Sequence, residues 1–176
     1  MIILLLGGAR SGKSVLAEFA ASRCRKPVVY VAPAVVEDED FARRVQLHRE
    51  RRPAEWDTAE PGPGLVEYVL GARRATLLID SLGSWVAATA GFAVDAEGFC
   101  DALRCYDGDV VIVSEEVGLG VHPSTELGGS FRDALGSLNS LVAAVADKVY
   151  LVVAGRTVEL QVPTGLFAAP DRRGRS

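Results

Sequence analysis

The chain has 176 residues, of which 49% are hydrophobic and 24% charged, and a formal net charge of -4. These values predict one globular domain with a full hydrophobic core, and the negative charge argues against nucleic-acid binding on a basic surface. No apolar run approaches the roughly 20 residues of a membrane helix, and the apolar N-terminus lacks the length and the basic lead of a signal peptide. Cys24, Cys100 and Cys105 follow no metal-binding spacing, so we expect reduced thiols in a cytoplasmic protein.

The first fourteen residues carry the clearest motif. Residues 2–6 are an unbroken apolar run, and the octet that follows fits G-x-x-x-x-G-K-[ST]: Gly7, Gly8, Ala9, Arg10, Ser11, Gly12, Lys13 and Ser14. Its glycines let the backbone turn N–H groups toward an anion, Lys13 can reach the outer phosphates, and Ser14 can offer a hydroxyl to Mg²⁺. Apolar residues at helical spacing follow, so the octet lies between a buried strand and a helix. This context favours a nucleotide site over a simple glycine turn.

The remaining pattern predicts a P-loop NTPase-like (RecA-like) α/β fold, with a mostly parallel sheet flanked by helices and one antiparallel edge strand. We expect a single nucleotide-binding domain over residues 1–165 and a disordered tail over 166–176. Strands are predicted at 2–6, 28–32, 76–79, 110–113, 149–153 and 157–162, the last two as a hairpin. Helices are predicted at 12–24, within 37–52 and 61–74, through most of 84–108, and at 126–147.

Acidic residues follow two of the predicted strands. Asp80 ends an apolar run as the Walker B residue does, and could hold Mg²⁺ directly or through water. The stretch from Asp80 to Gly83 also matches the D-x-x-G of GTPases, but the guanine-reading N-K-x-D is absent. Glu115 and Glu116 follow the next strand, on the rim where parallel sheets bind ligands. They are either part of a site there or a solvated loop pair, and both alternatives stay open.

Residues 33–60 contain an unusual number of charged residues around His48, which is one of only two histidines in the chain. A solvated helix whose basic end complements its own dipole would explain the charge. It explains less well why five arginines surround that histidine. The arginines are Arg43, Arg44, Arg49, Arg51 and Arg52. The other histidine, His122, precedes a proline in a predicted rim loop and is expected to be a surface residue.

Four segments together resemble one family. They are residues 7–14 (G-G-A-R-S-G-K-S), 43–60 (R-R-V-Q-L-H-R-E-R-R-P-A-E-W-D-T-A-E), 115–123 (E-E-V-G-L-G-V-H-P) and 131–139 (F-R-D-A-L-G-S-L-N). In this order they resemble the bifunctional adenosylcobinamide kinase / adenosylcobinamide-phosphate guanylyltransferase family of cobalamin biosynthesis. The resemblance covers residues 1 to about 160 and is far more specific than the P-loop motif alone.

The resemblance implies two reactions. The hydroxyl of adenosylcobinamide takes a phosphoryl group from ATP or GTP. A histidine then attacks the α-phosphate of GTP and passes GMP to adenosylcobinamide phosphate. By position in H-x-x-x-R-P-x-x-W that histidine is His48, and the catalytic set is His48 with Lys13. A neutral imidazole is a competent nucleophile near pH 7, and neighbouring arginines could hold the triphosphate.

The family's nucleotide contacts fall on matching positions of this sequence. They are the octet from Gly7 to Ser14, then Ala32, Pro33, Ala34, Arg49, Glu50, Arg51, Arg52, Glu60 and Asp80. Ser14 and Asp80 would hold Mg²⁺, and the family also implies a homotrimer. Four positions depart from the usual residues, which leaves the nucleotide preference open. In the family, Thr is common at the position of Pro33 and Met is usual at that of Asp40. Glu is often found at the position of Asp80, and Gln often at that of Ser140.

Three alternatives stay open. The chain could be a small P-loop kinase or ATPase for another metabolite, with His48 merely structural. It could be a non-catalytic nucleotide-binding partner, although Lys13, Ser14 and Asp80 argue against this. It could also be a guanylyltransferase that lacks kinase activity. No motif identifies the base for the cobinamide hydroxyl, for which Glu115 and Glu116 are candidates by position only.

Overall fold

The elements of the fold are seen in a computed structural model that describes residues 1–33 and 53–163. The helix predicted within residues 37–52 and the tail predicted at 166–176 lie outside these ranges. The strands are β1 (Ile2–Gly7), β2 (Val28–Val31), β3 (Asp57–Ala59), β4 (Thr76–Asp80), β5 (Val110–Glu115), β6 (Lys148–Val153) and β7 (Arg156–Glu159). The α-helices are α1 (Lys13–Ser22), α2 (Leu65–Gly71), α3 (Leu82–Ala88), α4 (Ala96–Cys105) and α5 (Glu126–Val145).

The strands form one twisted layer in the order β3-β2-β4-β5-β1-β6-β7. Every pairing is parallel except that of β6 with β7, which is antiparallel. This confirms the predicted mostly parallel sheet with an antiparallel edge strand. The P-loop strand β1 lies between β5 and β6, so the segment that leaves it is flanked on both sides.

The core has two halves because alternate side chains of each strand point to opposite faces of the sheet. On one face Ile3 and Leu5 pack with α1. On the other face Leu4 and Leu6 join the apolar sides of the remaining helices. Burial on both faces explains why the central strands read as continuous apolar runs. Within the described ranges, no helix combines the length and hydropathy that a bilayer crossing requires.

Three of the described helices begin at a residue whose side chain accepts a hydrogen bond from an N–H group of the first turn. Ser81 accepts from the N–H of Ser84 at the start of α3, at 3.2 Å. Asp95 and Thr125 do the same for α4 and α5. Such caps stabilise a helix by about 1 kcal/mol each and fix where it begins. Helix α1 has Gly12 at its N-cap position instead, and so has no side-chain cap.

The predicted strands differ most from the structure at three places. The edge strand β3 was missed, because its sequence Asp-Thr-Ala has no apolar run and its first two residues are exposed. The strand predicted over 157–162 begins at Arg156 and ends at Glu159; the N–H of Leu160 still donates to the carbonyl oxygen of Val149 at 2.8 Å, but the regular pairing with β6 stops there. The strand predicted over 110–113 continues to Glu115, so this carboxylate belongs to the sheet and not to a loop.

Two phenylalanines on helices provide a matched test of the core. Phe99 is fully buried, with its ring centroid 5.1 Å from that of Trp85. We expect Phe99→Ala to lower the free energy of unfolding by about 3–5 kcal/mol, because it leaves a cavity. Phe19 is 57% exposed and lies under Arg23. Phe19→Ala should cost less than about 1 kcal/mol in urea denaturation. Equal losses would show that this core description is wrong.

Candidate nucleotide-binding site

The octet after β1 forms a tight loop whose backbone curls around the first turn of α1. Gly12 has φ 97°, a left-handed conformation that a side chain would strain, and Arg10 has φ 56°. Lys13 is only 7% exposed, and its Nζ donates to the carbonyl oxygen of Gly8 at 2.9 Å. The uncapped N–H groups of α1 and the Lys13 ammonium therefore both lie at the start of the helix, beside the loop. This geometry suits the phosphate tail of a nucleotide.

The turn between β6 and β7 supports this loop from one side. Gly155 donates its N–H to the carbonyl oxygen of Ser11 at 2.8 Å. A Cβ atom on Gly12 would lie 3.3 Å from the Cα of Gly155, and one on Gly7 would overlap the carbonyl oxygen of Val152. Among the described residues, the buried Oγ of Ser11 has no hydrogen-bond partner. An unpaired buried hydroxyl in this loop fits a ligand oxygen as its partner.

The carboxyl ends of the parallel strands bring the other described candidates to the same edge of the sheet. Following the strand order, this edge carries Glu60 after β3, Pro33 after β2, Asp80 on β4, Glu115 on β5 and the P-loop after β1. Ala32 is held there by its N–H, which donates to the carbonyl oxygen of Ala59 at 2.8 Å. The chain is described up to Pro33 and again from Pro53.

Six predicted site residues lie outside the described residues: Ala34, His48, Arg49, Glu50, Arg51 and Arg52. Their roles stay predictions. His122, the competing histidine, is exposed as expected, with its Nδ1 2.9 Å from the carbonyl oxygen of Pro123.

The two predicted Mg²⁺ ligands have the chemistry that this ion prefers. Asp80 supplies a carboxylate at the end of β4, where the Tyr30 hydroxyl donates to its Oδ2 at 3.2 Å. Ser14 supplies a hydroxyl on the first turn of α1. The described residues contain no cluster of three histidine, cysteine or acidic side chains able to hold a metal. This donor set fits a Mg²⁺ that shares its ligands with the phosphates and water, as is usual for this ion.

Glu115 is a partly buried carboxylate beside the P-loop. Its Oε2 accepts from the Ser81 hydroxyl at 3.0 Å and fills the space left by the missing side chain of Gly83. Burial raises the pKa of this carboxyl group, while the Lys13 charge and the Ser81 hydrogen bond lower it and Asp80 raises it further. Its backbone is also anchored, because Asn139 Nδ2 donates to the Glu115 carbonyl oxygen at 3.0 Å.

Three of these supporting residues, Ser81, Gly83 and Asn139, did not stand out from the sequence as parts of a site. The D-x-x-G match contained Gly83, but the structure gives that glycine a different role, which is to make room for a carboxylate. Asn139 is the only asparagine in the chain and is buried, with its Oδ1 accepting from Ser114 at 2.6 Å. A buried amide must find partners, so a single asparagine on an apolar helix face was the available signal.

Two adjacent glycines test the close packing of the P-loop. Gly7→Ala should lower the free energy of unfolding by about 1–3 kcal/mol or more, because the new Cβ would overlap the Val152 carbonyl oxygen. Gly8 has nothing within 4 Å of the corresponding position. Gly8→Ala should therefore change stability by less than about 1 kcal/mol in the same urea titration. If Gly8→Ala proved the more damaging, the proposed packing would be refuted.

The raised pKa of Glu115 predicts a pH dependence of stability. Because the native pKa exceeds the unfolded one, this group favours the native state most at low pH, and the benefit is lost as pH rises from about 4.3 through the native pKa. Glu115→Gln removes this dependence. The stability of the variant relative to wild type should therefore increase from pH 4 to pH 8, measured by urea unfolding at several pH values. A constant or decreasing difference would contradict the assignment.

Comparison with known proteins agrees with this geometry. A sequence model of the family described as cobinamide kinase / cobinamide phosphate guanyltransferase matches residues 3–160. The chain is 35% identical over 183 residues to the bifunctional adenosylcobalamin biosynthesis protein CobU of Salmonella typhimurium, covering 92% of this chain and 100% of that protein. It is 36% identical over 166 residues to the bifunctional adenosylcobalamin biosynthesis protein CobP of Pseudomonas aeruginosa, covering 90% and 96% respectively.

A solved structure extends the comparison to the fold alone. The ATPase from the type III secretion system of pathogenic bacteria aligns with a TM-score of 0.51 at 11% identity, over 90% of this chain and 56% of that one. The present chain thus spans little more than half of that ATPase, and the likeness shows the fold alone. The P-loop and the strand-end carboxylates agree with the family match and with the two relatives. The chain therefore belongs to the cobinamide kinase / cobinamide phosphate guanyltransferase family.

Proposed function

We propose that this chain phosphorylates adenosylcobinamide with ATP or GTP and transfers GMP from GTP to adenosylcobinamide phosphate through a guanylylated His48. The observation that carries the proposal is the family match over residues 3–160, in a chain that retains both the P-loop and the histidine segment. The products are adenosylcobinamide-GDP and pyrophosphate.

In both reactions the P-loop would hold the phosphate tail of the nucleotide. The N–H groups at the start of α1 bind oxygens, and Lys13 would exchange its bond to the Gly8 carbonyl oxygen for the outer phosphates. Ser14 and Asp80 would hold Mg²⁺ through oxygen atoms, and that ion, when bound, offsets phosphate charge. The hydroxyl of adenosylcobinamide then attacks the γ-phosphorus in the kinase step.

In the transfer reaction a nitrogen of His48 attacks the α-phosphorus of GTP. The P–N bond forms, the bond between the α-phosphorus and the α–β bridging oxygen breaks, and pyrophosphate leaves with the electron pair of that bond. A phosphate oxygen of adenosylcobinamide phosphate then attacks the same phosphorus, and the P–N bond breaks. Arg49, Glu50, Arg51 and Arg52 would contact the nucleotide beside His48, with Ala32, Pro33, Ala34 and Glu60 nearby. The segment that carries His48 joins the described fold at Pro33, just after the carboxyl end of β2.

The setting of the enzyme is part of the proposal. We infer a homotrimer from the family, and the exposed Val153, Val158 and Leu160 on the hairpin edge are consistent with a partner surface there. We also infer a cytoplasmic location, where Cys24, Cys100 and Cys105, which are free thiols in the structure, would stay reduced.

The two histidines give a matched test of the transfer reaction. After incubation with GTP labelled at the α-phosphate, wild type should retain label that survives alkali and is lost in acid, as a phosphoramidate does. His48→Ala should retain no label and lose guanylyl transfer by about 10³-fold or more. His122→Ala should be labelled like wild type, because His122 lies exposed in a loop.

A labelled His48→Ala protein would refute this role of His48. Wild type that binds GTP but neither becomes labelled nor phosphorylates cobinamide would favour a binding protein. Separate assays with cobinamide and with cobinamide phosphate distinguish a bifunctional enzyme from one that has kept only guanylyl transfer.

A further inference from the structure

The kinase step leaves one proton without an acceptor. When the cobinamide hydroxyl attacks the γ-phosphorus, the new O–P bond forms and the bond to the β–γ bridging oxygen breaks, so the nucleoside diphosphate leaves with that electron pair. The hydroxyl proton must go to a base or to water. The P-loop supplies no base for it, because Lys13 and the backbone N–H groups are donors and the hydroxyls of Ser11 and Ser14 are too weakly basic to hold the proton.

Among the described residues, Glu115 has the position that such a base requires. It is the register partner of Gly7, the first residue of the P-loop, so the two backbones are roughly 4.8 Å apart. The carboxylate lies close enough to Lys13 and Asp80 for both charges to act on it. Those two residues bracket the outer phosphates and the Mg²⁺ in the proposed function. Glu115 would therefore lie beside the γ-phosphate of a nucleotide bound in that way.

The carboxylate is also held in place from several sides. Ser81 donates to its Oε2, and the same Ser81 hydroxyl caps α3, so its position is fixed by the helix. The backbone is held by Asn139 on α5, and the N–H of Glu116 donates to the carbonyl oxygen of Gly7 at 3.0 Å. A preorganised acceptor of this kind is what general-base catalysis requires.

Glu116, the other candidate by position, is directed elsewhere. Its Oε1 accepts from the N–H of Gly118 at 2.6 Å, so the side chain closes a turn within its own loop. The two neighbouring carboxylates thus have different partners, and only Glu115 contacts the elements that carry Asp80 and Gly83.

We propose that Glu115 is a catalytic residue of the kinase step, accepting the proton of the cobinamide hydroxyl and later releasing it to solvent. The proposal rests on the proposed function. It also predicts a division between the two activities. The acceptor in guanylyl transfer is a phosphate oxygen that is already ionised near neutral pH and needs no base.

Glu115→Gln tests the proposal, because it keeps the shape and removes the basic oxygen. With GTP and cobinamide, we expect kcat of the kinase step to fall about 10²–10⁴-fold while the KM for GTP stays near that of wild type. With cobinamide phosphate supplied, guanylyl transfer should continue at the wild-type rate. The matched control, Glu116→Gln, should preserve both activities.

A second variant moves the carboxylate without removing it. A Cβ on Gly83 would overlap Glu115 Oε2, the far end of a flexible side chain, so Gly83→Ala should fold and displace the base. It should reproduce the selective kinase loss. Unchanged kinase activity in Glu115→Gln would overturn the inference, and so would a rise in the KM for GTP at constant kcat or an equal loss of both activities. Wild type that transfers GMP but makes no cobinamide phosphate would instead refute the kinase half of the proposed function, and this inference with it.

Discussion

The structure depends on the close packing of β1 between β5 and β6. At Gly7 the backbone has β5 on one side and the Val152 carbonyl oxygen on the other, with no room for a side chain. The parallel pairing fixes where the P-loop leaves the sheet, and the Gly155 N–H bond to Ser11 fixes the direction of its return. A phosphate site made of backbone N–H groups needs such support, because these groups are only as well positioned as the backbone that carries them.

The register of the neighbouring strands sets the relative positions of the two strand-end carboxylates. Asp80 is the register partner of Val113, whereas Gly7 is the partner of Glu115, two residues further along β5. The two acidic groups are therefore staggered along the edge of the sheet. One is suited to a metal held among phosphates, and the other lies beside the P-loop itself. In the proposed function, this stagger would separate the task of offsetting charge from that of accepting a proton.

The sequence predicted the parts of the fold that follow from local chemistry. Long apolar runs revealed the central strands, and the glycine and lysine spacing revealed the P-loop. Strand β3 was missed because three polar residues at an edge are stabilised by their neighbour and not by their own propensity. The choice between Glu115 and Glu116 was equally out of reach. It depends on contacts with Ser81 and Gly83 that lie more than thirty positions away along the chain.

Several residues at this edge are poor choices for stability alone. Glu115 is a partly buried carboxyl group, and its burial raises its pKa. Lys13 is buried, and within the described chain the Ser11 hydroxyl is buried without a partner. Apolar residues of similar size would avoid these costs. Departures from local rules concentrate at functional sites, and here all three lie beside the same strand end. The hydrogen bonds from Ser81 and Asn139, with Ser114 bonded to Asn139 in turn, hold Glu115 in place, and in the proposed function a bound nucleotide and acceptor would supply the partners that these costly groups lack.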